Sequence, residues 1–331
     1  MLSKISLLAA TTSASAWTYD YASNGSDWAD IVNGEETNYC GTANQSPINL
    51  VSKRAKGNAF TKAYKKKIYS WKDDRGEDKE AVMKEYSNGF ERPVNMNGHT
   101  VQTDLDVTDG ADPNYFVSQL AGEIFGADTK FVGQQFHFHA GSEHTIDEER
   151  YDLEMHTVHY PEETKEGFIA AALGIVFSAD EEKVTANLSW AEERIIDTFF
   201  DSLQFDDESA EGAGPTVDMV TYGNLMMMVD FNNRWVYKGS VTTPPCATNV
   251  YWNVLHTIYP VKAEHLALFE GQLDKVDGLK AAGNWREIQE TTEDHAVMFV
   301  QQQKNKGLIA GPLSWLMNFL NKVQNFVQKN K

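Results

Sequence analysis

Two short segments near the middle of the chain alternate in residue type and therefore predict neighbouring β-strands. They read QQFHFH at residues 134–139 and LEMHTVH at residues 153–159. Side chains two residues apart on a strand point to the same side of a sheet, so His137 and His139 share one face, away from the phenylalanines. The connection between the segments is short enough for an antiparallel pair, which would place His156 beside His137 and His139.

The hydrophobic pattern predicts further elements along the chain. Residues 167–177, GFIAAALGIVF, form an almost unbroken apolar run, which is typical of a central strand buried on both faces. Residues 184–203 predict a helix, and the lysine- and acid-rich residues 52–92 predict an inserted surface hairpin or loop. The methionine triplet at residues 226–228 is interpreted as core filler rather than a binding surface.

A different pattern follows the Gly-Pro pair at residues 311–312, where we place a boundary. When residues 313–329 are set at steps of about 100°, the apolar side chains fall on one broad side, together with Gln324, and the other polar ones fall opposite. This predicts an amphipathic helix with a wide apolar face. Three roles are open: docking on the chain's own domain, self-association, or lying in a membrane interface. Polar residues interrupt every turn, which argues against a membrane-spanning helix.

Composition narrows the function classes. The chain has 331 residues, a formal net charge of −19 and a pI near 4.8, and 41% of its residues are hydrophobic. A strongly acidic protein repels the phosphate backbone, so no nucleic-acid partner is expected. The hydrophobic content is sufficient for a sizeable core, and the acidity is interpreted as a solvated surface.

The first 16 residues predict a signal peptide. Lys4 supplies a positive charge, a short apolar run follows at residues 5–10, and the small-x-small sequence ASA stands at residues 14–16. The mature chain is therefore expected in the secretory pathway or outside the cell, where disulfides are permitted. Glycosylation sequons, which often arise by chance, begin at Asn24, Asn44 and Asn187.

The three histidines of the two predicted strands are a candidate metal site. Three neutral nitrogen ligands without a fourth protein ligand are typical of a catalytic zinc ion with water in the open position. A His-x-His pair alone would equally describe two partly buried strand histidines, but the added Glu-x-His strand favours zinc. Metal-bound histidines usually donate their second N–H to an acceptor. Gln135 and Glu154 stand two residues before His137 and His156, on the matching faces.

These segments resemble a known family. The runs QFHFH at 135–139, GSEHT at 141–145 and EMHTVH at 154–159 closely resemble the zinc-binding core of α-class carbonic anhydrases. Further similar runs follow the family order, namely QSPINL at 45–50, NMNGHTVQ at 95–102, SVTTPPC at 240–246 and NWREIQ at 284–289. The resemblance spans residues 17–289 and implies zinc-dependent, reversible hydration of carbon dioxide to bicarbonate and a proton, by attack of zinc-bound hydroxide.

The resemblance also implies roles for single residues. His137, His139 and His156 would bind zinc. Thr242 would accept a hydrogen bond from the zinc-bound hydroxide and donate one to Glu143. The other implied roles are a proton shuttle at His99, water ordering by Tyr19, bicarbonate positioning by Thr243, pocket walls at Val158, Val241 and Trp252, a main-chain carbonyl partner for His139 at Asn284, and a disulfide between Cys40 and Cys246.

Some positions depart from the family pattern or leave their role open. Ala172 stands where a pocket valine is common, which predicts a wider pocket. The connection from His139 to Glu143 is short, as in bacterial and algal members. Without the resemblance, His99 would be interpreted as a solvated histidine beside an Asn-Gly turn. An ordinary imidazole titrates close to neutral pH, which suits a proton carrier.

We therefore expect one mainly β (α+β) domain at residues 17–306, with a large, twisted, mostly antiparallel central sheet and short peripheral helices. The signal peptide would precede it at residues 1–16, and the amphipathic tail would follow at residues 307–331. The expected cofactor is Zn²⁺ and the expected partner is carbon dioxide or bicarbonate. The alternative is a catalytically silent carbonic-anhydrase-like binding or matrix module. Silent members typically lack a zinc histidine, whereas all three are present here.

Overall fold

The structure is a computed structural model that describes most of the chain between residues 17 and 301. The predicted signal peptide, most of the inserted segment at residues 52–92 and the predicted amphipathic tail lie outside the described residues. The described residues are 17–51, 69–72, 91–96, 98–105, 115–118, 131–161, 170–205, 216–231, 233–276, 278–279, 282–291 and 297–301.

The described strands form one large β-sheet and one small β-sheet. In chain order the strands are β1 (Asn49–Leu50), β2 (Tyr69–Lys72), β3 (Glu91–Met96), β4 (Val101–Asp104), β5 (Tyr115–Ser118), β6 (Phe131–His139), β7 (Thr145–Ile146), β8 (Glu149–Arg150), β9 (Leu153–Pro161), β10 (Ala170–Ser178), β11 (Thr216–Asp218), β12 (Asn233–Ser240), β13 (Thr248–Leu255), β14 (Tyr259–Pro260) and β15 (Met298–Gln301).

The large sheet has the main order β11–β3–β4–β6–β9–β10–β13–β12–β15. Strand β14 pairs with β10, and β5 pairs with both β2 and β6, whereas β1, β7 and β8 form a small separate sheet. The pairings of β10 with β13 and β14 are parallel, and the other described pairings in the large sheet are antiparallel. The predicted fold class, mainly β with a mostly antiparallel central sheet, is confirmed.

Strands β6, β9 and β10 form the centre of this sheet. Strands β6 and β9 are antiparallel, and His137 lies opposite His156 in their register. This confirms the pairing that the alternating patterns predicted. Strand β10 is buried along its whole length, as the apolar run predicted, because β9 and β13 flank it and side chains cover both of its faces.

The two faces of β6 have different chemistry. Phe136 and Phe138 point away from the histidines and belong to the main hydrophobic cluster. The ring of Phe136 stacks on that of Tyr222 with centroids 4.6 Å apart, and the ring centroids of Phe138 and Phe269 lie 5.7 Å apart. Burying each ring contributes roughly 1.5–3 kcal/mol to stability. The apolar face thus fixes the strand whose other face carries His137 and His139.

Three short α-helices are described: α1 (Trp190–Ser202), α2 (Met219–Met228) and α3 (Ala263–Leu273). Helix α1 starts at a capping box formed by Ser189 and Glu192. The predicted start at residue 184 is wrong, because the main-chain N–H groups of residues 185 and 186 donate to the carbonyl of Ile258 instead. In the methionine triplet, Met226 is buried but Met227 is 45% exposed. Among the described residues, no helix has the length and apolar character needed to cross a membrane.

A disulfide joins Cys40 to Cys246, as the resemblance implied, with Cα atoms 4.8 Å apart. It connects the N-terminal segment to the loop that follows β12. Two main-chain hydrogen bonds support the same loop: Tyr39 N–H donates to the Pro245 carbonyl at 2.9 Å, and Cys246 N–H donates to the Thr243 carbonyl at 2.7 Å. The loop that carries Thr242 and Thr243 is therefore fixed at its C-terminal end.

Candidate metal centre and active site

Three imidazoles converge on one face of the central sheet. His137 and His139 come from β6, and His156 comes from the paired strand β9. One ring nitrogen of each lies within 4.8 Å of those of the other two, which is close enough for a shared metal ion. His139 and His156 are buried, and His137 is partly buried. Period-two alternation and the β6–β9 register are sufficient to produce this cluster.

Hydrogen bonds fix the tautomer of each imidazole. His137 Nδ1 lies 2.8 Å from Gln135 Oε1, and His139 Nδ1 lies 2.6 Å from the Asn284 carbonyl oxygen. His156 Nε2 lies 3.0 Å from Glu154 Oε1. Since oxygens of these kinds accept hydrogen bonds, each of these nitrogens carries the proton and donates it. In the neutral form of each ring, the second nitrogen carries a lone pair.

The remaining ring nitrogens fit a metal. In the described part of the chain, His139 Nε2 is a buried atom with no hydrogen-bond partner, which is costly unless it binds a ligand. Burial holds the pKa of His137 well below its usual range, and the neighbouring histidines contribute a smaller lowering. Burial also lowers the pKa of His139. Neutral imidazoles are the form that binds metal, and three nitrogen donors are typical ligands of zinc.

A hydrogen-bonded chain behind the cluster supports His156. His144 Nδ1 lies 2.8 Å from the same Glu154 oxygen, and His144 Nε2 lies 2.7 Å from the hydroxyl of Tyr237, which also bonds Ser46 at 2.9 Å. Burial alone would raise the pKa of Glu154, but the two histidines beside it hold that pKa well below its usual range. His144, Glu154 and His156 also lie close enough to hold a metal. Their separations of 2.8–3.0 Å are hydrogen bonds, so we assign them a supporting role.

Glu143 lies directly beside the imidazole cluster and is fully buried. Its Oε1 accepts a hydrogen bond from the Arg286 main-chain N–H at 3.0 Å. Its Oε2 lies 3.5 Å from His139 Nε2 and 3.9 Å from His156 Nδ1, and has no hydrogen-bond partner among the described residues. Thr242 is buried in the loop after β12. A hydrogen bond from Thr242 to Glu143 remains a prediction.

A cavity of about 180 Å³ opens above the three histidines. Val158, Ala172 and Trp252 lie side by side on β9, β10 and β13, because the register pairs Ala172 with both of the others. They form the apolar floor of the cavity, and Val241, Thr242 and Thr243 line it from the loop after β12. The predicted pocket residues are thus brought together beside the candidate metal site.

His99 lines the cavity at partial exposure, and Tyr19 covers one face of its ring. The two rings are stacked, with centroids 4.0 Å apart and an interplanar angle of 14°. Burial lowers the pKa of His99. Burial raises the pKa of Tyr19 to about 12, and its hydroxyl shares a hydrogen bond with Thr243. The sequence did not predict this stack, because the two residues lie far apart in the chain.

Two arginines beside Glu143 also escaped the sequence analysis. Arg286 is 1% exposed and donates to oxygens of Cys40, Gln45 and Ser46. It belongs to the NWREIQ run, which was the available signal. Arg150 donates to the main-chain carbonyls of Ser142 and Glu143. No periodicity or motif singled it out.

Comparison with known proteins identifies the family. A family model described as eukaryotic-type carbonic anhydrase matches residues 23–299. The chain belongs to the carbonic anhydrase family. A carbonic anhydrase of Klebsiella pneumoniae is 28% identical over 267 residues, which cover 80% of this chain and 86% of that protein. As a carbonic anhydrase, the chain is an enzyme of carbon dioxide hydration.

Solved structures share the fold of this carbonic anhydrase. The α-carbonic anhydrase of Thermovibrio ammonificans, in complex with the inhibitor sulfanilamide, has a TM-score of 0.54 at 21% identity and covers 87% of this chain and 99% of that one. A structure of dioscorin complexed with ascorbate has a TM-score of 0.55 at 21% identity and covers 84% of this chain and 94% of that one. The fold therefore also occurs under a name other than carbonic anhydrase.

Proposed function

We propose that this protein hydrates carbon dioxide at a zinc ion held by His137, His139 and His156. The observation that carries this proposal is that one nitrogen from each of three imidazoles lies close to those of the other two, while the second nitrogen of each ring donates to an oxygen. Each acceptor fixes the ring orientation and makes its imidazole a better donor to a metal. Zinc, when bound, supplies a Lewis acid that lets water act as a nucleophile near neutral pH.

The surrounding residues orient the reactants. Val158, Ala172 and Trp252 offer carbon dioxide an apolar surface in the cavity. The Thr242 hydroxyl donates to the Glu143 carboxylate, which leaves its oxygen lone pair to accept a hydrogen bond from the nucleophile. Support comes from the unpaired Glu143 Oε2 on the side of the carboxylate that faces the imidazoles. Thr243, which is hydrogen-bonded to Tyr19, positions the bicarbonate product.

His99 accepts the proton released by the reaction at a ring nitrogen and passes it to buffer. Support comes from its place in the cavity lining and its partial exposure. Burial lowers its pKa, which favours the neutral imidazole, the form that can accept a proton. The stacked Tyr19 ring limits rotation of His99 about its side-chain bonds.

Two further proposals concern the ends of the chain. Residues 1–16 act as a signal peptide and direct the protein to the secretory pathway, in agreement with a disulfide, which needs an oxidising compartment. The amphipathic residues 307–331 mediate self-association or contact with a membrane surface. Both proposals rest on the sequence pattern, because these residues lie outside the described structure.

Substitution of the zinc ligands tests the proposed function. His137→Ala, His139→Ala and His156→Ala should each lower the zinc content, measured by metal analysis, and abolish carbon dioxide hydration, measured by stopped flow. The matched control is His256→Gln, because His256 contacts Trp235 and Phe299, away from the cavity. A ligand variant with full zinc content and full activity would refute the site. A wild type that binds zinc without hydrating carbon dioxide would favour the silent binding module.

A further inference from the structure

Residues 284–286 contact both ends of the short connection between a metal ligand and Glu143. The Asn284 carbonyl accepts from His139 at 2.6 Å, and the Asn284 side-chain oxygen accepts from the Ala140 main-chain N–H at 2.8 Å. Two residues later, the Arg286 N–H donates to the Glu143 carboxylate at 3.0 Å. The indole of Trp285 lies between these two points in the sequence.

Arg150 closes this arrangement from the other side. Its guanidinium carbon lies 3.8 Å from the centroid of the Trp285 ring, which is a close cation–π contact. One of its terminal nitrogens donates to the carbonyl of Ser142 and, at 3.3 Å, to the carbonyl of Glu143. A single side chain therefore connects Trp285 to the peptide unit that carries Glu143.

The backbone of the connection has little room to move. A Cβ at Gly141 would lie 2.8 Å from the Tyr151 carbonyl oxygen, and a Cβ at Gly283 would overlap the Ala140 carbonyl oxygen. Gly283 also has a φ of +68°, which favours glycine. The connection is thus packed between two other backbone segments, and Arg150 covers the carbonyl groups at its C-terminal end.

Arginine suits this position better than lysine. Its planar guanidinium can lie flat on an indole while its N–H groups reach carbonyl oxygens, whereas an ammonium is a compact and strongly hydrated charge. Burial lowers the pKa of Arg150, and the nearby carboxylates of Glu143, Glu154 and Glu287 oppose this by favouring the positive charge. Both the shape and the charge of arginine are therefore used.

We propose that Arg150 is a positioning residue which, through Trp285 and the carbonyls of Ser142 and Glu143, holds the Glu143 carboxylate in the orientation needed for catalysis. This inference rests on the proposed function, in which Glu143 accepts from Thr242. It assigns to Arg150 and Trp285 a role in the rate of attack on carbon dioxide, separate from metal binding and from proton export by His99.

The test compares Arg150→Met, Arg150→Lys and the control Arg194→Lys, an exposed arginine of α1. Stopped-flow kinetics in concentrated buffer give kcat/KM for hydration, which excludes the later proton export. Because small misplacements of a reacting group are costly, Arg150→Met should lower kcat/KM by about 10- to 100-fold. Arg150→Lys should lose most of the same factor. Zinc affinity should change far less than kcat/KM. The same holds for kcat in weak buffer, because proton export limits turnover there.

A second variant keeps the proposal testable if Arg150→Met folds poorly. Trp285→Leu removes the ring but leaves Arg150, and its effect on kcat/KM should not add to that of Arg150→Lys in the double variant. Wild-type kcat/KM in Arg150→Lys, additive effects, or a parallel loss of zinc would each overturn the proposal. Failure of the proposed function is distinguishable, because the wild type itself would then lack hydration activity.

Discussion

Gly174 gives the sharpest test of the hydrogen bond that holds His156. A Cβ at this position of β10 would lie 2.8 Å from Glu154 Oε1 and 3.3 Å from a methyl group of Val254. That carboxylate oxygen accepts from both His144 and His156. Gly174→Ala must therefore displace the carboxylate or move the neighbouring strands apart.

The expected size of the effect follows from these contacts. Adding a methyl group to a packed core typically costs about 1–3 kcal/mol of the free energy of unfolding. Loss of an acceptor behind a metal-bound histidine typically weakens metal affinity about 10- to 100-fold. That factor corresponds to about 1.4–2.7 kcal/mol of binding free energy. Gly174→Ala should show both effects, with the loss of zinc affinity as the specific one.

Zinc dissociation constants from competition with a chelator, together with thermal unfolding, provide the assay. The matched control is Gly271→Ala in α3, where an added Cβ meets no atom within 4 Å outside its chain neighbours and the backbone of its own helix. The control should keep the zinc affinity of the wild type and gain up to about 1 kcal/mol of stability, because alanine favours helix. If Gly174→Ala binds zinc as tightly as the wild type, Glu154 does not hold His156 in the way described.

Four further predictions address the shuttle, the disulfide, acid stability and the tail. His99→Ala should slow turnover in weak buffer and be rescued by added imidazole; equal rates at low buffer would exclude the shuttle. Cys40→Ser should cost about 2–5 kcal/mol in urea unfolding, because the bond closes a long loop; unchanged stability would contradict this. Burial lowers the pKa of His159 to about 4, so the unfolded state takes up the proton first and stability falls as pH drops from about 6.5 to about 4, by about 3 kcal/mol in all. His159→Gln should flatten that decline, and an unaltered pH profile would refute the argument. Deletion of residues 308–331 should leave zinc and catalysis intact but change oligomer size or vesicle binding; a lower Tm alone would show instead that the tail packs on the domain.

The alternating strands account for much of what could be predicted from the sequence. A period of two places His137 and His139 on one face, and a short connection favours the antiparallel partner that brings His156 to them. The apolar run that became β10 was likewise predictable, because a strand covered on both faces needs no polar side. These features depend on local pattern, which one sequence contains in full.

Other features depend on contacts between distant parts of the chain. Helix α1 begins at Trp190 rather than residue 184 because the preceding segment donates hydrogen bonds to Ile258, which no local pattern encodes. The stack of Tyr19 on His99 and the contact of Arg150 with Trp285 arise only once the sheet has formed. Side chains of this kind carry no periodic signal, so they had to be found in the structure.

Reconstitution of the metal-free protein with zinc tests the central claim most directly. Carbon dioxide hydration would be measured by stopped flow while zinc is added to the chelator-treated protein. The account predicts that activity rises linearly and reaches a plateau at one zinc ion per chain, and that His156→Ala shows no such rise. Activity that does not depend on zinc, or zinc bound at one ion per chain without hydration, would contradict it.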